Sequence, residues 1–364
     1  MPGASRVSGF QGIVMRDHRE LKAAGLGASI VAAYMALVLA SGRVDLGDFA
    51  HLFVGYLYGS VSMWVLVMAC AAGWLISRDR PASPTLAIRA WIQGRWQRDY
   101  LVSLTWPPLL FASLMASFNA FKQMILPAAG FRFDPLYADL DRVLALGQDP
   151  WRVTHSLFGS PIATWLLDKA YHGWFLPMVV GIMICAFLPA SSYRLRTQYV
   201  LSYIMMWIGV GSVLAFLLPA AGPCFYMPLV GPSEPYQALM NQLAADQASL
   251  GSPLSALVFQ DRLLSLFGGG TLTVGGGISA MPSVHNGLAI LFAFAAFRIG
   301  RKAGWAMTAY AALIWIGSIH LGWHYAIDGI ASLALASGIW VAAGRVADWL
   351  ARPATSGNPL PATA

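Results

Sequence analysis

Eight apolar runs, each long enough to cross a bilayer, constrain this chain more than any other feature. A helix rises about 1.5 Å per residue, so about 20 apolar residues span the hydrocarbon core. The runs are Ala23–Gly42, Phe49–Ser77, Tyr100–Phe121, Gly173–Ser191, Gln198–Leu218, Pro282–Gly300, Ala303–Leu321 and Tyr325–Gly344. The last two could be taken for one, but a single helix from Ala303 to Gly344 would be about 60 Å long, roughly twice the core thickness. A turn near Gly322 is the simpler solution. The chain reads as an all-α, polytopic membrane protein with about eight transmembrane helices. Composition agrees, with 57% hydrophobic and 11% charged residues against the roughly one quarter charged of soluble domains.

Charge sets the orientation. The N-terminus, the 78–99 loop, the 192–197 loop, the 298–302 turn and the C-terminal tail hold 16 of the 23 Lys and Arg. Acidic residues divide the other way, so the two faces carry +11 and −4 of the net +7. Basic loops stay in the cytoplasm, which places both termini there. The basic balance then reflects orientation and anionic lipid, and no nucleic-acid partner is expected. The first 22 residues carry Arg6, Arg16, Arg19 and Lys22 without an apolar stretch, so a secretory signal peptide is not expected. Cys70, Cys185 and Cys224 give no disulfide framework. Nineteen arginines against four lysines, with much alanine, point to a GC-rich genome and hence a bacterial inner membrane.

Two outer segments are long. Residues 122–172 hold Asp134-Pro135 and Ser160-Pro161, each an N-cap residue followed by a proline suited to the first helical position. Leu136, Leu140, Val143 and Leu144 then recur at helical spacing, as in a short helix lying on the membrane surface. Residues 219–281 repeat the cap at Ser252-Pro253, with Ser233 and Pro235 a looser version, and the two segments together suit either a lid over a site or ordered connectors without function. On the inner side Arg89, Trp91, Arg95, Trp96 and Arg98 read as an interfacial anchor.

Ionisable residues near apolar spans are costly and therefore informative. His285 opens the sixth span in the string Pro282-Ser283-Val284-His285, while His324 and Asp328 open the eighth. The topology puts all three at the outer ends of their helices. Spacing of four puts His324 and Asp328 on one helical face, where the carboxylate can orient the imidazole and leave its other nitrogen free as a nucleophile. His285 can then give a proton to a leaving alkoxide. Pro282 suits a first helical turn, whose amides near Ser283 and Val284 would face a bound phosphate. Gly268–Gly270 and Gly275–Gly277 leave the approach to that helix flexible. Cys224 reads as a packed thiol. Without His-Glu-x-x-His or a cysteine cluster, no metal is expected.

Pro282-Ser283-Val284-His285 followed by His324-x-x-x-Asp328, each opening a transmembrane helix, resembles the type 2 phosphatidic acid phosphatase superfamily. The match is most similar to its inositol phosphorylceramide synthase and sphingomyelin synthase branch. That resemblance implies a six-helix core from spans three to eight and a phosphohistidine intermediate formed without metal or cofactor. It implies His324 as nucleophile, Asp328 as its orienter and His285 as general acid. The motifs lie within about 279–330, with weaker similarity in Pro219–Pro228, and the first 120 residues carry none. Two departures stand out. The Lys/Arg-rich first motif of the phosphatases is missing, and Ser318 stands where they have arginine, six residues before the nucleophile. Both resemble the synthase branch and leave the phosphate cation open among Lys169, His172, Arg262 and His320, with an interfacial role as the plainer reading of His320.

The expected organisation is a segment 1–99 with two added transmembrane helices and a basic cytoplasmic loop, a catalytic membrane domain 100–350, and a flexible tail 351–364. The expected activity moves a phosphorylated headgroup between a phospholipid or sphingolipid and an alcohol, at the periplasmic face. A lipid or polyprenyl phosphate phosphatase is the alternative with water as acceptor, and a non-catalytic lipid transporter or scaffold is the alternative from another class. Oligomeric state is not legible.

Overall fold

The computed structural model describes residues 7–95, 98–185 and 192–352, with side chains for 21–90, 106–185 and 192–352. Trp91, Arg95, Trp96 and Arg98 of the expected anchor, and most of the expected tail, lie outside the residues described in this detail. Regular structure among the described residues is helical, with no strand. The first helices are α1 (Val7–Ala40), α2 (Leu46–Asp79), α3 (Pro84–Arg95) and α4 (Arg98–Ala120), the last running into a π-helical turn, Phe121–Ile125. The first outer connector forms α5 (Asp134–Leu144), α6 (Pro150–Leu157) and α7 (Pro161–His172). Then come α8 (Phe175–Ile184), α9 (Tyr193–Met205), a π-helical stretch Met206–Leu214 and α10 (Ala215–Leu217). The second outer connector holds α11 (Pro223–Leu229), α12 (Glu234–Leu250) and α13 (Ser255–Leu266). Helices α14 (Val284–Ile299), α15 (Arg301–His320) and α16 (Ala326–Leu350) complete the chain.

This is an all-α polytopic membrane protein. Among the described residues five stretches are long and apolar enough to cross a bilayer: Leu21–Ala40, Leu46–Asp79, Trp106–Ala129, Tyr193–Leu217 and Ala326–Leu350. The other three expected spans differ in extent. Gly173–Ser191 is described only as α8, because 186–191 lie outside the described residues. Pro282–Gly300 shortens to the 16 residues of α14, because Ser283 is its N-cap. Pro282 therefore precedes the helix and does not occupy its first turn. Ala303–Leu321 is the 20-residue α15. The turn expected near Gly322 is present, with Gly322 at φ 74°, a left-handed conformation that glycine adopts without a Cβ clash.

Helix α14 runs through the middle of the bundle, packed by α15, α16 and α9. At its Gly287 an added Cβ would meet the end of the Met206 side chain, which would have to shift. Helices α1 and α2 lie against α4. They are tied in by Tyr34 Oη to Ser212 Oγ at 2.6 Å and by Ser60 Oγ donating to Pro108 O at 3.2 Å.

The outer connectors follow the expected helices but use their polar residues differently. Ser160 caps α7 as expected, its Oγ accepting from Ala163 N. Asp134 does not cap its own helix, and Ser252-Pro253 precedes α13 without capping it. Ser233 stands at the N-cap of α12 without a side-chain bond. On α5 the four apolar residues Leu136, Leu140, Val143 and Leu144 are all exposed, whereas Asp134, Tyr137, Ala138 and Asp141 are buried. A helix with carboxylates inside and leucines outside suits a lipid surface.

Those carboxylates explain the inversion. The first amides of a helix have no partner within it and must be satisfied from elsewhere. Asp134 accepts from Ala221 N and Gly222 N, both at 2.8 Å, at the entry to α11. Asp141 accepts from Ala326 N at 2.8 Å and Ile327 N at 2.9 Å, the first amides of α16. Asp168 accepts from Ser255 N at 2.9 Å and Ala256 N at 2.8 Å, the first amides of α13. The N-cap residues Gly222, Tyr325 and Leu254 make no side-chain capping bond. The first connector thus caps two later helices, α13 and α16, in trans and holds the segment entering α11, and anionic groups at helix N-termini are the electrostatically favoured ones.

Candidate active site

His324 lies between the end of α15 and the start of α16, held from three sides. Its Nδ1 is 3.1 Å from Asp328 Oδ2 and 2.9 Å from Ala280 O. Two acceptors on one nitrogen require Nδ1 to carry the proton, so Nε2 presents its lone pair. Nε2 faces Ser283 Oγ at 3.1 Å. The same Ser283 Oγ caps α14 by accepting from Asn286 N, and Ser332 Oγ of α16 donates to Ser283 O at 2.8 Å. The expected bond between His324 and Asp328 is present, but not along a helical face. His324 precedes α16 by two residues, and the contact bridges the N-cap.

His285, in the first turn of α14, is positioned by rings. Its imidazole stacks on Trp174 with centroids 4.0 Å apart and on Tyr171 at 5.3 Å, and its centroid is 5.9 Å from that of His324. No hydrogen bond to either ring nitrogen is formed among the described residues. An imidazole held by its faces keeps its edge for chemistry.

Of the expected phosphate ligands, His172 lies beside the pair. Its ring stacks on Phe259 and meets Tyr171 and Trp323 edge-on, and its charge acts on His285. Its Nδ1 is 2.8 Å from Asp168 O and 3.1 Å from Asp168 Oδ1. Burial raises the Asp168 carboxyl, but the His172 hydrogen bond and charge and the Ser255 and Ala256 amides outweigh it and hold the group at about 2. Lys169 is engaged elsewhere, its Nζ on Asp168 Oδ2 at 3.2 Å and Ser255 Oγ at 2.8 Å. His320 is fully buried, 3.0 Å from Thr164 Oγ1 and stacked on His155 at 3.7 Å. Arg262 is exposed on α13. Ser318, at the position of the phosphatase arginine, is buried and bonded to Trp315 O at 2.7 Å.

One cation was missed. Lys122, half-buried in the π-helical turn after α4, acts electrostatically on His285 and has no hydrogen bond or ion pair among the described residues. The Gly-rich segment expected to be loose is pinned above it. Asn119 Nδ2 and Gln123 Nε2 donate to Thr273 O at 2.5 and 2.9 Å, and Gly277, at φ 91°, packs so closely that a Cβ would lie 2.8 Å from Lys122 Cγ. The available signal was a lone outer lysine at the end of a span, since π turns occur often at functional sites.

The family model for the PAP2 superfamily matches residues 137–342, more than half of the chain. The chain belongs to the PAP2 superfamily. No curated protein and no solved structure matches it. The PAP2 region spans α5 to α16 and contains His285, His324, Asp328, Asp168 and His172, whereas Lys122 and helices α1 to α4 lie before it. Membership makes this an integral membrane enzyme of the lipid phosphatase and phosphotransferase type. Among the described residues no group of three or more His, Cys, Asp or Glu could hold a metal ion.

Proposed function

We propose that this PAP2 enzyme transfers a phosphorylated lipid headgroup to an alcohol by double displacement at His324. The observation that carries the reading is the His324 ring, with Nδ1 fixed as a donor to Asp328 and Ala280 and Nε2 left as an acceptor toward the Ser283 hydroxyl, which must yield it to phosphorus. Nε2 attacks phosphorus, the bond from phosphorus to the lipid oxygen breaks, and His285 gives that oxygen a proton. The acceptor hydroxyl then attacks the phosphohistidine, His285 takes its proton, and the phosphorus–nitrogen bond returns its electron pair to Nε2. Lys122 and His172, each of which acts on His285, offset the phosphate charge. No step calls for a metal.

Transfer to an alcohol is favoured by Ser318 in place of the phosphatase arginine and by the enclosure of His285 among Tyr171, Trp174 and Phe175, which restricts water. These features are similar to the inositol phosphorylceramide and sphingomyelin synthase branch, so the reading names a phospholipid or sphingolipid pair of substrates. With the Lys/Arg-poor side outward, the site faces the periplasm of a bacterial inner membrane. Residues 100–350 then form the catalytic domain, with α1 and α2 as additions.

The test supplies purified protein in liposomes with phospholipid labelled at phosphorus and a panel of lipid alcohols that includes ceramide and diacylglycerol. Label should pass to one alcohol faster than to water, because well-oriented groups reach effective molarities of about 10⁵–10⁸ M against roughly 55 M water. Release of inorganic phosphate or free phosphorylated headgroup as the only labelled product with every acceptor would replace transfer by hydrolysis. Acid-labile label on His324 is expected in either case.

A further inference from the structure

Asp141 lies on a surface helix, outside the motifs that carry the chemistry, yet its carboxylate reaches the catalytic segment. Its two oxygens accept from Ala326 N and Ile327 N at 2.8 and 2.9 Å. These two amides sit between His324 and Asp328 in the chain, and the N-cap of α16, Tyr325, makes no side-chain capping bond, its hydroxyl donating to Asp134. Asp328 belongs to the first turn of α16, its own N–H bonded to Tyr325 O at 3.2 Å. The bond from His324 Nδ1 to Asp328 Oδ2 therefore closes a loop whose backbone is held from outside by one carboxylate.

We infer that Asp141 is a positioning residue for the reaction, which holds the His324–Asp328 segment in attacking geometry only while its carboxylate is ionised. Resting on the reading of His324 as nucleophile, this adds a residue that touches neither substrate nor the reacting atoms. A carboxylate accepts from both amides with a full charge at a helix N-terminus, where negative charge is favoured. Once protonated, one oxygen becomes a donor facing an N–H, and the cap is half lost.

The surroundings keep that proton within reach of neutral pH. Burial raises the Asp141 carboxyl, the Ala326 and Ile327 amides partly oppose this, and Asp328 and Asp149 add repulsion, leaving it at about 7. The charged and titratable groups that act on Asp141 are Asp328 from α16, Asp149 just before α6, itself paired with Arg142 of α5 and Arg152 of α6, and Tyr236 from α12. Arg142 and Arg152 are bound to Asp149, so neither neutralises Asp141 directly.

The test compares wild type, Asp141→Asn and Asp141→Glu in detergent, using a dioctanoyl phospholipid together with the lipid alcohol that accepts label in the liposome assay, and hydrogen–deuterium exchange as a readout free of turnover. Wild-type kcat should rise from about pH 6 to about pH 8, as the group ionises. Asp141→Asn should lower kcat about tenfold with KM changed less than about twofold and with that rise flattened, since the loss concerns geometry and not binding. Exchange at the start of α16 should quicken about tenfold in Asp141→Asn, with α9 and α14 unaffected, and Asp141→Glu should recover part of both effects. Equal exchange in wild type and Asp141→Asn, or a kcat profile that keeps its rise in the variant, overturns the inference. If the lipid is not turned over at all, the proposed activity is at fault, and exchange alone decides the role of Asp141. Should Asp141→Asn fail to fold, wild-type exchange at the start of α16 between about pH 8 and about pH 6, corrected for intrinsic rates, must still quicken on acidification for the inference to stand.

Discussion

A histidine attacks phosphorus only through a nitrogen that keeps its lone pair, and at His324 the neighbours choose that nitrogen. Nδ1 is committed to Asp328 and Ala280, so removing the ring should abolish turnover. His285→Ala should behave differently, because acid catalysis matters most when the departing oxygen is a poor leaving group. The expected loss is about 10²–10⁴-fold for a lipid alkoxide and much less for an activated nitrophenyl substrate, read as kcat/KM for both. Equal losses with the two substrates would assign His285 to structure. Lys122 belongs to the same scale. Lys122→Met keeps the aliphatic stem packed under Gly277 and removes only the charge, so kcat/KM should fall about 10–10³-fold while the thermal midpoint stays near that of wild type. An unchanged kcat/KM would return the phosphate to His172 alone.

At the scale of elements, the connector α5–α7 works as a set of helix caps. Asp168 shows the energetics most directly, because its carboxyl is held at about 2 inside the folded protein. A carboxyl depressed on folding stabilises the fold above its unfolded value near 4, and that contribution disappears as pH falls through about 2. A shift of nearly two units corresponds to about 2 kcal/mol. Denaturation of wild type should therefore show a stability loss of that order between about pH 4 and about pH 2, and Asp168→Asn should lack that part of it. Identical acid profiles for the two proteins would contradict the assignment. The exposed leucines of α5 belong to the same design, since its polar face is occupied by the caps and its apolar face is left to lipid.

At the scale of the whole molecule, the proposed orientation, with the Lys/Arg-rich segments in the cytoplasm, puts the connectors and the site on the opposite side of the membrane. Cysteine introduced near Ser233 should react with an impermeant reagent added outside intact cells, and cysteine near Arg89 should not. Reaction of both from the same side would overturn the periplasmic placement. The added helices are part of this scale too. Tyr34 reaches Ser212 and Tyr56 reaches Gly275 N at 3.2 Å, so α1 and α2 brace both the π-helical stretch and the segment over Lys122.

What the sequence determined by itself is whatever short-range physics dictates. Apolar run length sets the helical, membrane-spanning class, and glycine at position 322 sets the turn between α15 and α16. The spacing of Leu136, Leu140, Val143 and Leu144 marks the outward face of α5. His324 and Asp328 were legible because four residues of chain bring them together whether or not a helix has begun. Tertiary structure alone decided the rest. Asp168 is separated from the amide it caps at Ala256 by 88 residues, and Asp141 from Ala326 by 185. A local cap has a signature, a polar residue just before the helix, but a cap in trans has none on the helix it serves. Lys122 was hidden for the same reason. A cation that has no hydrogen bond or ion pair among the described residues becomes meaningful only when folding sets its charge to act on His285.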